Sequence, residues 1–263
     1  MKQNQAATIL LLLLIFSFPV CLYSYYIGSL SILNGYETLA SFLFWSSIIS
    51  LGFLFPLKKT AKLFVIYARS ARGATLFAFY LVVHLLLYGI LLEGILIYLY
   101  RIPPTIFQSS ISFSAILAYP ESLVAIFVDF AFNPSLNFAI PPGFSLALSL
   151  YSFAVAIVIG VLVVTNVMKV IEMSRICSIG RKSRAFLALP ALGVIGGATC
   201  CLSIPFLISL IAPVTAVVSG SISVYYIAYL GFPVATAIAL KYNLDSTMKM
   251  TSRLSSGGAR SES

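Results

Sequence analysis

Apolar residues run along this chain in stretches far longer than a soluble helix or strand needs, and the polar residues collect between them. Runs at about 6–27, 39–57, 74–100, 144–168, 186–203 and 214–240 approach the ~20 residues that carry a helix across the hydrocarbon core of a bilayer. The pattern predicts an all-α chain, a polytopic transmembrane helical bundle of six spanning helices. The first run follows Lys2 and contains Pro19. Bulky Tyr25, Tyr26 and Ile27 stand where a signal peptide would need small residues for cleavage, so it reads as a span. From Phe186 to Leu240 the chain is apolar almost throughout. Pro205 and Pro213 divide a fifth helix from a sixth, with a short kinked or half-inserted segment between them.

Two stretches do not fit a spanning helix. The segment 102–143 falls outside the bilayer in this topology, yet it is rich in Phe and Ile. Its sub-runs 105–119 and 122–132, parted by Pro120, read as interfacial or re-entrant helices. The alternative is a further pair of spans, eight in all. At the other end, the transmembrane domain stops near residue 242, and the serine-rich tail 243–263 is expected to be disordered and cytoplasmic.

Charge fixes the orientation. Only 9% of the 263 residues are charged, against a net charge of +9. With six helices and both termini inside, every one of the 16 Lys and Arg residues except Arg101 lies on the cytoplasmic side, as the positive-inside rule requires. The expected location is the cell membrane, as a multi-pass protein. Lys58, Lys59, Lys62, Arg69 and Arg72 form a basic surface suited to anionic lipid headgroups. Phosphate-backbone contact with a nucleic acid would call for the same residues. A second basic stretch runs from Lys169 to Arg184, with Glu172 as its sole acid.

Few side chains can carry chemistry inside such a bundle. His84 and Glu93 share the third run, and ionisable residues within a span are candidates for transport. Nine positions apart, they face opposite sides of one helix. Tyr80, His84 and Tyr88 lie on one i, i+4, i+8 line, so a hydrogen-bonded, purely structural histidine is the competing reading. Glu93 can equally reach the outer interface by extending its side chain. Gly193, Gly197 and Cys201 make a small-residue stripe on the fifth run, and Ser149, Ser152, Ala156 and Gly160 make another on the fourth. Such stripes let helices approach closely, and the two are expected to pack together. Adjacent Cys200 and Cys201 suit a soft metal such as copper(I), and the pair resembles that in the first helix of mercury-uptake membrane proteins. Neighbouring positions diverge by about 100° on a helix, which favours packing over metal.

The chain has no P-loop, dinucleotide fingerprint or zinc-protease helix, and one histidine and four cysteines without a C-x-x-C pair give no zinc or haem pattern. A non-enzymatic protein without a cofactor is expected. In size, topology and lack of catalytic motifs it is similar to the CedA family, polytopic channel subunits of an archaeal DNA-import system. The resemblance covers the outline of the whole chain. It implies a DNA-conducting pore, an oligomer working with other small membrane proteins and a separate cytoplasmic ATPase. Two further readings stand beside it: a small-solute or soft-metal transporter, and a structural subunit of a larger membrane complex.

Overall fold

The computed structural model describes residues 2–27, 33–87, 94, 98, 108–114, 131, 134–141, 144–176 and 218–258. They are mainly helical: α1 (Lys2–Ile27), α2 (Leu33–Leu54), α3 (Lys58–Ala68), α4 (Ala71–Val82), α5 (Leu150–Ile176) and α6 (Val218–Gly258), with three short strands β1 (Ser110–Ser114), β2 (Ser135–Ile140) and β3 (Phe144–Ser149). By length and composition, α5 alone among the described residues can cross a membrane, or α2 with α3 as well if their 92° break is one broken span. Shorter apolar helical stretches are Asn4–Val20 and Ala71–Leu86. Helical architecture is therefore established, and six spans are not. The fifth run, 186–203, and most of the third run beyond residue 87 lie outside the described residues.

α5 is the spine. Apolar on all sides, it is buried along its middle, with Ala156, Ile159, Leu162, Val164 and Thr165 almost wholly covered. Side-chain contacts give the direction of each neighbour. Trp45 of α2 meets Tyr151 at 5.1 Å between ring centroids, and Leu57 packs with Ile159 and Leu162, so α2 runs parallel to α5. On α4, Leu85 packs near Tyr151 and Tyr80 near Gly160, while Tyr67 just before it reaches Glu172; α4 runs antiparallel. α6 bonds α5 at Leu230 and again at Leu240, in parallel. α1 stacks Phe18 on Phe44 of α2 at 5.9 Å across a five-residue connection, as an antiparallel hairpin. All Lys and Arg residues of the described elements consequently collect at one end of the bundle, and the sheet lies at the other.

The turns have local causes. Pro56 cannot donate to the helical ladder, so α2 ends, and the Leu57 N–H reaches back to the Gly52 carbonyl at 2.9 Å. α3 leaves at 92°. It ends at Arg69–Ser70, where the Ser70 hydroxyl accepts from the Gly73 N–H at 3.2 Å and caps α4. A Cβ at Gly73 would overlap the Tyr67 carbonyl oxygen; only glycine fits this corner.

Three expectations need correcting. Within 102–143, expected to hold interfacial helices, residues 110–114 and 135–140 are strands, in an antiparallel sheet ordered β1-β2-β3. The cause is alternation: Ser110-Ile111-Ser112-Phe113-Ser114 has the period of a strand, and Pro141, which follows β2, lies in a turn. For the same reason the helix expected from residue 144 begins at Leu150, and 144–149 pairs with β2. Finally, residues 243–258 of the tail expected to be disordered are helical: α6 continues to Gly258. Asn243, Leu244 and Thr247 are buried, and Lys241 pairs with Asp245 at 2.8 Å, so the helix is held by packing and an i, i+4 ion pair.

Gly160 sets the α4–α5 distance, since a Cβ there would stand 2.9 Å from the rings of Phe77 and Tyr80. Gly160→Ala should lower stability by about 1–3 kcal/mol through overpacking. Gly52→Ala, where nothing lies within 4 Å, should be neutral or stabilising. Thermal unfolding in detergent compares the two.

Candidate functional site

The chemistry-bearing residues that the fold brings together lie in the lower half of α5 and at the basic end. Asn166 is 1% exposed. Its Nδ2 donates to the Leu162 carbonyl at 2.8 Å and to the Leu240 carbonyl of α6 at 3.1 Å, while its Oδ1 accepts from Asn243 Nδ2 at 2.9 Å. Thr247 continues the line by donating to the Asn243 carbonyl at 2.9 Å. Thr165, beside Asn166, donates to the Val161 carbonyl at 2.6 Å. An amide has two donor hydrogens and an acceptor oxygen, and Asn166 engages all three. This buried polar seam joins two helices that also meet through apolar contacts and, higher up, the Tyr151 hydroxyl on the Leu230 carbonyl. Sequence reasoning missed it because attention went to ionisable residues; the signal was Asn166 itself, an amide in a long apolar run.

One turn below, Tyr67 of α3 donates to Glu172 Oε2 at 2.7 Å, and Lys169 donates to Oε1 at 3.0 Å. Both groups lie beyond the apolar run that ends near 168. Partial burial opposes ionisation of Glu172, but the Tyr67 hydroxyl and the Lys169 ammonium outweigh it and hold the carboxyl below its ordinary value. Tyr67 is pushed up, first by burial and then by the hydrogen bond and charge of Glu172. The triad fastens α3, which lies across the bundle, to the end of α5.

The residues singled out from sequence fare differently. His84 is fully buried in a π-helical turn, Val83–Leu87. Its Nδ1 and the Tyr80 hydroxyl share a 2.9 Å hydrogen bond, as the i, i+4 line suggested. Lys58, Lys59, Lys62, Arg69 and Arg72 are all exposed, the first three on α3 and the last two at its junction with α4. The stripe on α5 has these described contacts. Ser149 caps α5, accepting from the Ser152 N–H at 3.2 Å, and its hydroxyl meets that of Ser152 at 3.2 Å. Ala156 is wholly buried. Gly160 receives Phe77 and Tyr80 of α4. Glu93, Gly193, Gly197, Cys200 and Cys201 lie outside the described residues. Among the described residues, no group of three or more His, Cys, Asp or Glu could hold a metal ion.

Two cavities adjoin at the basic end. One of about 300 Å³ is lined by apolar side chains of α2, α5 and α6, among them Trp45, Tyr151, Val158 and Ala237. The other, of about 600 Å³, lies between the start of α3 and α6, and is lined by Lys58, Lys59, Lys241, Asp245 and Lys249. Pro56 and Lys241 border both.

Asn243→Ala should cost about 1–3 kcal/mol, because it leaves a buried acceptor on Asn166 without its donor. The double variant Asn166→Leu/Asn243→Leu should cost less than the two single changes added together, which a double-mutant cycle on unfolding measures. Glu172 gives a pH signature. Its folded pKa is depressed, so its stabilising contribution is present above the ordinary carboxylate value of about 4.3 and is lost as pH falls through the folded value. Acid unfolding of Glu172→Gln should lack this component of the wild-type profile.

The chain matches no protein-family model, no curated protein and no solved structure.

Proposed function

We propose that the chain is a multi-pass subunit of the cell membrane, with six spans and both termini in the cytoplasm, serving as a channel or translocation subunit that a separate ATPase drives. The observation that carries the membrane reading is the gathering of all Lys and Arg residues of the described elements at one end of a bundle whose helices run in both directions. Soluble bundles spread their charges over the whole surface; a bilayer confines them to its edges, and the positive-inside rule to one edge. Large apolar side chains are exposed along the helices, Phe16 at 70%, Phe79 at 63% and Ile238 at 65%, while polar Asn166, Asn243 and Ser152 are buried. That inversion suits a lipid surround. α3, with lysines at one end and exposed Val65 and Ile66, is shaped to lie in the interface.

The translocation role rests on the resemblance to the CedA family and on the absence of any energy-coupling motif in the sequence. Under it, the basic surface of Lys58, Lys59, Lys62, Arg69 and Arg72 meets an anionic partner or the DNA itself, and other small membrane proteins complete an oligomeric pore. The soft-metal transporter is the second reading, carried by Cys200, Cys201 and Glu93.

Affinity purification from native membranes, with mass spectrometry of what stays bound, should return an ATPase and small membrane proteins. Reversal of charge at Lys58, Lys59 and Lys62 should abolish DNA uptake while membrane insertion stays normal. Full uptake in that variant removes the role given to this surface. A lone oligomer carrying bound metal, with transport lost in Cys200→Ser/Cys201→Ser, favours the second reading.

A further inference from the structure

The two cavities at the basic end are opposite in character and share a border. The smaller one extends from Trp45 and Tyr151 down to Pro56 and Lys241, walled by α2, α5 and α6. Its lining is apolar apart from Lys241 and the polar edges of its aromatic rings. Val234 and Ile238, on its outer lip, are 56% and 65% exposed, so it opens sideways between helices. The larger cavity begins where the smaller ends, at Pro56 and Lys241, and is ringed by four lysines against one carboxylate, Asp245. That carboxylate pairs with Lys241 at 2.8 Å, and four lysines to one acid give the lining a formal positive excess.

The order along the bundle matters. The apolar cavity lies beside the buried middle of α5, and the lysines lie where α2 ends and α3 turns away. α3 starts at Lys58 with Leu57 as its N-cap and no side-chain cap, so the positive end of its dipole lies beside this cavity. An occupant must then be an amphiphile: anionic at one end, hydrocarbon at the other, its long axis roughly along the bundle. Free phosphate or a nucleic-acid backbone satisfies the lysines but leaves the apolar cavity without a partner. A hydrophobic peptide satisfies the cavity and ignores the lysines. Both volumes are of ligand size, roughly 300–1,000 Å³.

We propose that the joined cavities bind an anionic phospholipid of the cytoplasmic leaflet, its headgroup among Lys58, Lys59, Lys241 and Lys249 and one hydrocarbon chain in the cleft between α2, α5 and α6. The proposal rests on the membrane reading above and deepens it, because the site has the right polarity and depth only if the basic end faces the cytoplasm. The lipid would bridge the start of α3 and α6, whose lysines line one cavity.

The test uses the full chain purified in neutral detergent. Phosphatidylglycerol, phosphatidylcholine of the same chains, and inorganic phosphate are each titrated, with the melting temperature and native mass spectrometry as readouts. Saturable stabilisation by phosphatidylglycerol alone is expected, with a retained lipid visible by mass. Lys58→Gln and Lys249→Gln should each weaken it about fivefold, the worth of one lysine beside an anionic headgroup. Val234→Trp, at an exposed lip, should fill the cleft without disturbing the core and abolish lipid retention. An equal response to phosphatidylcholine, or phosphate matching the lipid, overturns the proposal. So does a Val234→Trp variant that keeps its lipid, or one that loses stability without lipid because another part of the chain already fills the cleft. Recovery of the chain in the carbonate-resistant membrane pellet tests the membrane reading separately, so failure of one is distinguishable from failure of the other.

Discussion

A polar side chain buried between apolar helices must satisfy every hydrogen-bonding group it carries, and that requirement fixes its neighbours more tightly than packing does. Asn166 is the clearest case. Its two donor hydrogens are taken by the Leu162 and Leu240 carbonyls and its oxygen by Asn243. A slide of α6 by one residue along α5 would break two of these bonds at once and turn Asn243 away by about 100°. Apolar contacts such as Leu162 against Leu240 tolerate a slide far better. The amide pair therefore sets the register of α6, and with it the height at which Lys241 and Lys249 stand opposite Lys58 and Lys59.

The remaining helices are positioned from α5 by different means. Gly160 admits the rings of Phe77 and Tyr80, which brings α4 close enough for Tyr80 to be buried and bonded to His84. Lower down, Tyr67 and Lys169 converge on Glu172 and pull α3 across the end of α5. At the far end Ser149 closes β3 and caps α5 with one side chain, so the sheet cannot move without fraying the helix. Close approach, ion pairing and capping act at three levels of one spine, each using residues too few to be visible as a pattern.

Much of the architecture could be read from the sequence, for physical reasons. The long apolar run of α5, the break at Pro56 and the Tyr80–His84 line are local features whose spacing states their geometry. What escaped depended on partners far along the chain or on weak signals in a misleading setting. Asn166 and Asn243 are 77 residues apart, and nothing local in either says that they meet. The serine alternation of β1 sits in a stretch so rich in Phe that it read as an interfacial helix. The tail looked disordered because serines follow it, yet Asn243, Leu244 and Thr247 fall on one face and that face is buried. The stripe on α5 was recognised as a packing surface, but a stripe cannot name its partner, and the rings of Phe77 and Tyr80 at Gly160 had no local signal.

The same reasoning bears on where charge can act. The described lysines and arginines share one end, but they do not form one surface. Lys169 is committed to Glu172 and Lys241 to Asp245, each within hydrogen-bond distance of its carboxylate. A committed lysine contributes less net field than one without a neighbouring acid. Lys59, Lys62, Arg69 and Arg72 are exposed along α3 and its corner, and no carboxylate lies within salt-bridge distance of them among the described residues. Among these residues, the cations without a carboxylate at salt-bridge distance therefore include Lys59 and Lys62 of α3 and Arg69 and Arg72 at its corner with α4. Because Tyr67 fastens α3 to Glu172, any contact that α3 makes bears directly on α5.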